Sequence, residues 1–279
     1  MGQSGAVSTL VTFHAHPDDE SLLTAGTMAK ASAAGHRIVL VIATQGEAGE
    51  VALEFLGQAD LGERRTREAE SSAHALGVHR LVFLGYHDSG LDGQLGANGF
   101  SRVGVEGAAQ RLAAILREEA ADVLTVYDGH GGYGHPDHVQ VNRVGRRAAE
   151  LASTPVVLEA TFNRDLLSMA ADLAPTLGFE IPEDFVPPDT SDWFVPATEI
   201  THTVDVGAFI EQKRASMRAH ATQATSASSN TRSLEMFLSL PDDLFVIAFG
   251  VEWFVDRAQK QGASFSDVFA TLDRSRADG

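Results

Sequence analysis

The apolar run Leu10-Val11-Thr12-Phe13 passes directly into His14-Ala15-His16-Pro17-Asp18-Asp19-Glu20, and a helix-compatible pattern then continues from Ser21 to Ala34, ahead of Gly35. A short apolar run without polar alternation suits a strand covered on both faces, and a glycine after the last helical residue suits a left-handed cap. The stretch therefore predicts a strand, a polar turn and a helix, the first unit of an α/β fold. The turn carries no G-x-G-x-x-G, and its adjacent carboxylates would repel a pyrophosphate, which argues against a dinucleotide site.

Outward from this stretch the same unit recurs. Ile38 to Ala43, Leu81 to Leu84, Val123 to Tyr127 and Val156 to Ala160 read as strands. Glu63 to Leu76, Glu106 to Ala120, and the residues after His138 up to about Leu151 read as helices. Such alternation implies right-handed crossovers and a Rossmann-like parallel sheet flanked by helices. Residues 1–160 are expected to form this α/β core, and residues 161–279 a smaller, irregular C-terminal part that completes it and shapes the substrate pocket. There Pro175, Pro182, Pro187, Pro188 and Pro196 mark an extended loop, and Val206 to Ala219 a helix. Thr222 to Ser233 reads as a flexible Ser/Thr-rich segment, Phe245 to Phe254 as a strand or apolar anchor, and Arg274 to Gly279 as a frayed tail.

The formal charge of −17 over 279 residues disfavours nucleic acid and anionic membranes as partners, because both would repel the chain. There is no cysteine, so any bound metal must rely on histidine and carboxylate. The apolar runs are too short to span a bilayer, and the first residues lack the basic and apolar regions of a secretory signal. The expected setting is the cytoplasm and the expected partner a small molecule.

In an open parallel sheet, ligands gather outside the carboxyl ends of the strands. All four loops predicted on that rim are polar: His14 to Glu20, Thr44 to Glu47, Tyr86 to Gly90, and Asp128 to His138. Taken singly, each has an ordinary structural role. Asp18 or Asp19 could cap a helix, His135 and His138 could be surface residues, and His14 reads as a satisfied core histidine. His87 and His130 lie on the right loops but lack paired spacing. Converging on one rim, the imidazoles and carboxylates read instead as a metal site with a base beside it. A divalent ion there would lower the pKa of water from 15.7 toward roughly 7, and a neighbouring carboxylate could accept the proton. His135 would serve the oxyanion or the leaving amine, with Asp137 fixing its tautomer. The glycines at 129, 131, 132 and 134 either free the Tyr133 loop to close over substrate or shape a turn. A non-haem Fe(II) oxygenase, using His16, Asp18 and His138 as a facial triad, is the chemical rival. It leaves Asp19 and His135 without roles, and it usually accompanies an all-β jelly roll.

These residues resemble the PIG-L/LmbE-type zinc-dependent deacetylases, which remove N-acetyl groups from glucosamine-containing substrates. The likeness rests on Ala15-His16-Pro17-Asp18-Asp19-Glu20 and Gly134-His135-Pro136-Asp137-His138. It is supported by Thr44 to Glu47, Arg65-x-x-Glu68, Asp88-Ser89-Gly90 and His220-Ala221-Thr222-Gln223. Within the family, the nearest resemblance is to the mycothiol-pathway deacetylases and amidases. The resemblance implies His16, Asp19 and His138 as ligands of Zn2+ (or Fe2+), and Asp18 as general base. It implies His135 and a mobile Tyr133 as oxyanion partners, and Arg65 and Asp88 as contacts to an amino-sugar substrate. A catalytically inactive sugar-binding relative is a further alternative, against which the intact base and ligand set argue.

Overall fold

A computed structural model describes residues 7–49, 61–91, 98–173, 191–224 and 233–272. The chain begins with β1 (Thr9–His14), α1 (Asp19–Leu23), α2 (Ala25–Ala33), β2 (Arg37–Thr44), α3 (Leu61–Ala75) and β3 (Arg80–Tyr86). It continues through α4 (Val105–Glu118), β4 (Val123–Tyr127), α5 (Pro136–Ala152), β5 (Val156–Thr161) and α6 (Arg164–Leu173). The last part holds β6 (His202–Asp205), α7 (Ile210–Ala219), α8 (Ala221–Ala224), α9 (Ser233–Leu238), α10 (Asp242–Phe249) and β7 (Val251–Val255).

The strands form one seven-stranded sheet in the order β3-β2-β1-β4-β5-β7-β6. The first five are mutually parallel, with Leu10 opposite both Ile38 and Val123. Every residue of β1 and β4 is buried, as expected for strands covered on both faces. Because β1 lies between β2 and β4, the winding reverses at the β1–β4 boundary, the place beyond the strand ends where open α/β sheets bind ligands.

Three elements differ from the sequence reading. The helix expected over Ser21 to Ala34 is broken at Thr24 (φ −138°), whose hydroxyl is hydrogen-bonded to His14 Nε2 at 2.9 Å. The apolar stretch Phe245 to Phe254 is neither strand nor anchor throughout: α10 ends at Phe249 and β7 begins at Val251. The C-terminal part is also less irregular than expected, since β7 pairs antiparallel with β5 and with β6 and so widens the sheet. Residues 225–232, Pro175, Pro182, Pro187, Pro188 and the tail from Arg274 lie outside the described residues.

The added strand is tied to the start of the chain. Glu252 on β7 accepts hydrogen bonds from Gly26 N and Thr27 N, both at 2.8 Å, at the first turn of α2. A carboxylate there satisfies two donors that a helix leaves unpaired and sits at the positive end of its dipole. The fully buried Lys213 of α7 neutralises it at 2.8 Å and also donates to Leu22 O. Among the described residues no helix is long and apolar enough to cross a membrane.

Candidate metal centre

His16 leaves the end of β1, while His135 and His138 open α5 just beyond β4, so strand adjacency brings together residues some 120 positions apart. The ring centroids of His16 and His138 are 5.6 Å apart. Asp19 spans the two. Its Oδ2 accepts from His16 N at 2.8 Å and lies 3.3 Å from His16 Nδ1, while its Oδ1 lies 3.3 Å from His138 Nε2. His138 Nε2 is buried and has no hydrogen-bond partner. Metal–ligand bonds of about 2.0–2.1 Å in a tetrahedral site place neighbouring donors roughly 3.3 Å apart. The spacing and the unpartnered nitrogen fit a cation held by His16 Nδ1, Asp19 and His138 Nε2.

Among the described residues, the groups whose ligand atoms all lie within 4.8 Å of one another are His16 with His135 and His138, and His16 with Asp88 and Asp137; Asp19 is in neither. Neither is as free to bind. His135 Nδ1 already accepts from Asp137 N at 3.2 Å, and Asp88 and Asp137 both face His16 Nε2, at 3.4 and 3.2 Å. A carboxylate on the far nitrogen of a ligating imidazole fixes its tautomer and raises its basicity. Burial disfavours a charged His16, but hydrogen bonds to Asp137, Asp19 and Asp88 outweigh it and raise its pKa well above the usual value.

Asp18 stands beside this cluster in an unusual conformation. It occupies the residue before α1, yet its φ of 100° is left-handed and its side chain caps nothing. Such backbone costs about 1–3 kcal/mol for a residue with a Cβ and persists where the surroundings impose it. The carboxylate instead lies 3.2 Å from Arg65 Nη2. Burial, opposed by the Arg65 guanidinium and assisted by the Asp19 charge, pushes Asp18 up to about 6. Arg65 also donates to Gly46 O and Pro17 O, and its side chain is 4% exposed. Gly46 has φ +64°, and a Cβ there would stand 2.3 Å from Arg65 Nη1, so the glycine makes room for the guanidinium. Arg65, expected to contact the sugar, is thus paired with Asp18, while its buried Nε has no hydrogen-bond partner.

Asp137 meets both His135 and His16. Its backbone N–H orients His135, but its carboxylate accepts from Ser89 N and Ser89 Oγ, at 3.0 and 2.6 Å, and faces His16. With Nδ1 accepting, the neutral His135 ring carries its proton on Nε2. Burial, reinforced by the charges of His16 and His138, lowers its pKa to about 4. Tyr133 is 41% exposed at the mouth, edge-on to His138 at 5.2 Å and to Trp193 at 6.1 Å. Its loop is a shaped turn: Gly131, Gly132 and Gly134 have positive φ, and buried Asp128 accepts from His130 N and Gly132 N. Asp88 closes a local turn by accepting from Gly90 N at 2.8 Å.

The contacts of Tyr127 and the pairing of Glu20 with His220 escaped the sequence reading. Tyr127 stacks on His138 with ring centroids 4.2 Å apart, and its hydroxyl meets His14 Nδ1 at 3.1 Å. His14 is thus the satisfied core histidine it was expected to be. Glu20 is fully buried and bonded to His220. A visible signal did exist: Arg65, Glu68 and Ser72 follow a 3–4 spacing that places all three on one face of α3.

The fold and the cluster define an α/β protein with a histidine–aspartate group that could hold a metal at the reversal point of its sheet. The chain belongs to the PIG-L family of de-N-acetylases, enzymes that hydrolyse amides; the family described as PIG-L, GlcNAc-PI de-N-acetylase, matches residues 11–149. The 1D-myo-inositol 2-acetamido-2-deoxy-alpha-D-glucopyranoside deacetylase of Thermobifida fusca is 38% identical over 240 residues, covering 78% of this chain and 84% of that protein. The enzyme of the same name from Thermomonospora curvata is 37% identical over 278 residues, covering 91% of this chain and 92% of its own. N,N'-diacetylchitobiose deacetylase from Pyrococcus horikoshii shares the fold, with TM-score 0.55 and 22% identity over 89% of this chain and 82% of that one. The ferrous-oxygenase and inactive-binder readings find no support in these relatives.

Proposed function

We propose that the chain removes the acetyl group from an N-acetylglucosamine-containing small molecule, with an N-acetylglucosaminyl inositol as the substrate its relatives favour, and that it does so in the cytoplasm with zinc or ferrous iron. The observation that carries this reading is Asp18: a carboxylate with a raised pKa, free of any capping bond, next to the His16–Asp19–His138 donors. When bound, a divalent cation at those donors would polarise the acetamide carbonyl and acidify water. Asp18 would take the proton from the attacking water and, as a carboxylic acid, return it to the leaving amine. His135, neutral with its proton on Nε2, would donate a hydrogen bond to the developing oxyanion, and Tyr133 would close the mouth beside it. Asp88 would accept from a sugar hydroxyl.

Acetate release from the N-acetylglucosaminyl inositol, measured with and without a chelator, tests the proposal. Release that stops with chelator and returns with Zn2+ or Fe2+ is the expected result. No release from this or any other N-acetylglucosaminide, with metal supplied, would refute it.

A further inference from the structure

Glu20 sits two residues from Asp18 and is fully buried. Its Oε2 accepts the backbone N–H of Asp18 at 3.0 Å, and its Oε1 accepts from Ser72 Oγ at 2.6 Å and meets His220 Nε2 at 2.6 Å. His220 follows α7, 200 positions later, and is also fully buried; its Nδ1 has no partner, so the ring is committed to Glu20. The turn that carries it is fastened in turn. Thr222 N and Thr222 Oγ1 donate to the Glu68 carboxylate at 2.9 and 2.6 Å. Ser216 Oγ joins Ser72 Oγ and Ser21 Oγ at 2.7 and 2.6 Å. The face of α3 that holds Asp18 through Arg65 thus also holds Glu20 through Ser72 and the His220 turn through Glu68.

We propose that His220, acting through Glu20, is a positioning residue for Asp18: the imidazole fixes the carboxylate that grips the Asp18 amide and so maintains the left-handed backbone that points the base away from its helix. This role rests on Asp18 being the base. Without the anchor, Glu20 keeps its serine but can turn in its pocket, and Asp18 relaxes toward an ordinary helix N-cap. A shift of even about 1 Å in a reacting group can cost on the order of 100-fold in rate.

The test compares His220→Leu, which removes the donor, with His220→Gln, which keeps one near the Nε2 position. His220→Leu is expected to lower kcat by about 10- to 100-fold while KM and bound metal stay within about twofold, and His220→Gln to recover most of the loss. In 1H–15N spectra of the metal-free protein, the Asp18 amide is expected to move upfield in His220→Leu and to return in His220→Gln. Parallel loss of metal and kcat, equal impairment of the two variants, or an unmoved Asp18 amide overturns the proposal. If His220→Leu does not fold, Glu20→Gln takes its place by removing the carboxylate through which His220 acts; a fall in kcat with KM and metal unchanged and a moved Asp18 amide are expected, and an unchanged kcat overturns the proposal. The amide shift does not depend on turnover. A chain that deacetylates nothing would refute the proposed function, while this contact would still be tested on its own.

Discussion

Asp18 and Asp19 are neighbours with opposite electrostatic outcomes. Burial would raise both, but Asp19 faces His138 and His16 and is held well below the usual carboxylate range, whereas Asp18 faces a single guanidinium and rises to about 6. A ligand should be anionic and a base should be able to take a proton, so these environments support the proposed roles. Asp18→Asn is expected to lower kcat by about 10²–10⁴-fold with metal content intact, and His138→Ala to lose the metal, both read by elemental analysis beside turnover. Metal loss in Asp18→Asn with retention in Asp19→Asn would reverse the assignment. Asp137→Asn should weaken metal affinity by about 10–100-fold, measured by competition with a chelating dye, because its carboxylate faces His16, a proposed ligand. The histidine and aspartate types were legible in the sequence because they crowd into two short motifs. The directions of their side chains were not: no local pattern records that Arg65 reaches Asp18 or that the Asp137 carboxylate faces His16.

At the scale of elements, the Glu252–Lys213 pair is open to a direct test, since both side chains are 1% accessible. Glu252→Ala leaves an ammonium buried without its counter-ion and two α2 amides uncapped. Such a break costs about 3–5 kcal/mol, to be read as a lower urea midpoint at fixed metal concentration. The joint replacement Lys213→Met with Glu252→Gln should be milder, since it leaves no lone charge. An equal loss in both proteins would show that packing, not charge, holds this joint. The first five strands were readable because each is a short, continuous apolar run bounded by turn residues, too short for a helix and too apolar for a surface loop. β6 is four residues long and alternates buried with exposed, too short for its period to stand out. In the run that contains β7, helix and strand meet at Gly250 with apolar residues on both sides, and periodicity alone cannot divide them. The break at Thr24 depends on a hydrogen bond to another element, which no local pattern records.

For the whole molecule, the parallel sheet and the meeting of the two motifs followed from strand–helix alternation and the reversal of winding. The contribution of the last third did not, because its contacts with β5, α2 and Glu20 span roughly 100 to 225 positions. A chain ending at Ala160 lacks β7, α7 and His220, and is expected to show no cooperative thermal transition where the full chain shows one. A cooperative transition would make residues 1–160 an independent unit. Added Zn2+ should raise the melting temperature and a chelator should lower it, since a ligand at about 1,000 times its Kd stabilises by about 4 kcal/mol. An unchanged melting temperature would argue against a tight site.

The bond from Glu252 to Gly26 crosses 226 positions, and this has a consequence for how the protein is made. Ribosomes extend a chain at about 5–20 residues per second, so roughly 11–45 s separate the emergence of α2 from that of the anion that completes it. During that interval the nascent N-terminal half presents an uncapped helix end and an unfinished sheet margin, a client for holding factors until β7 emerges and pairs.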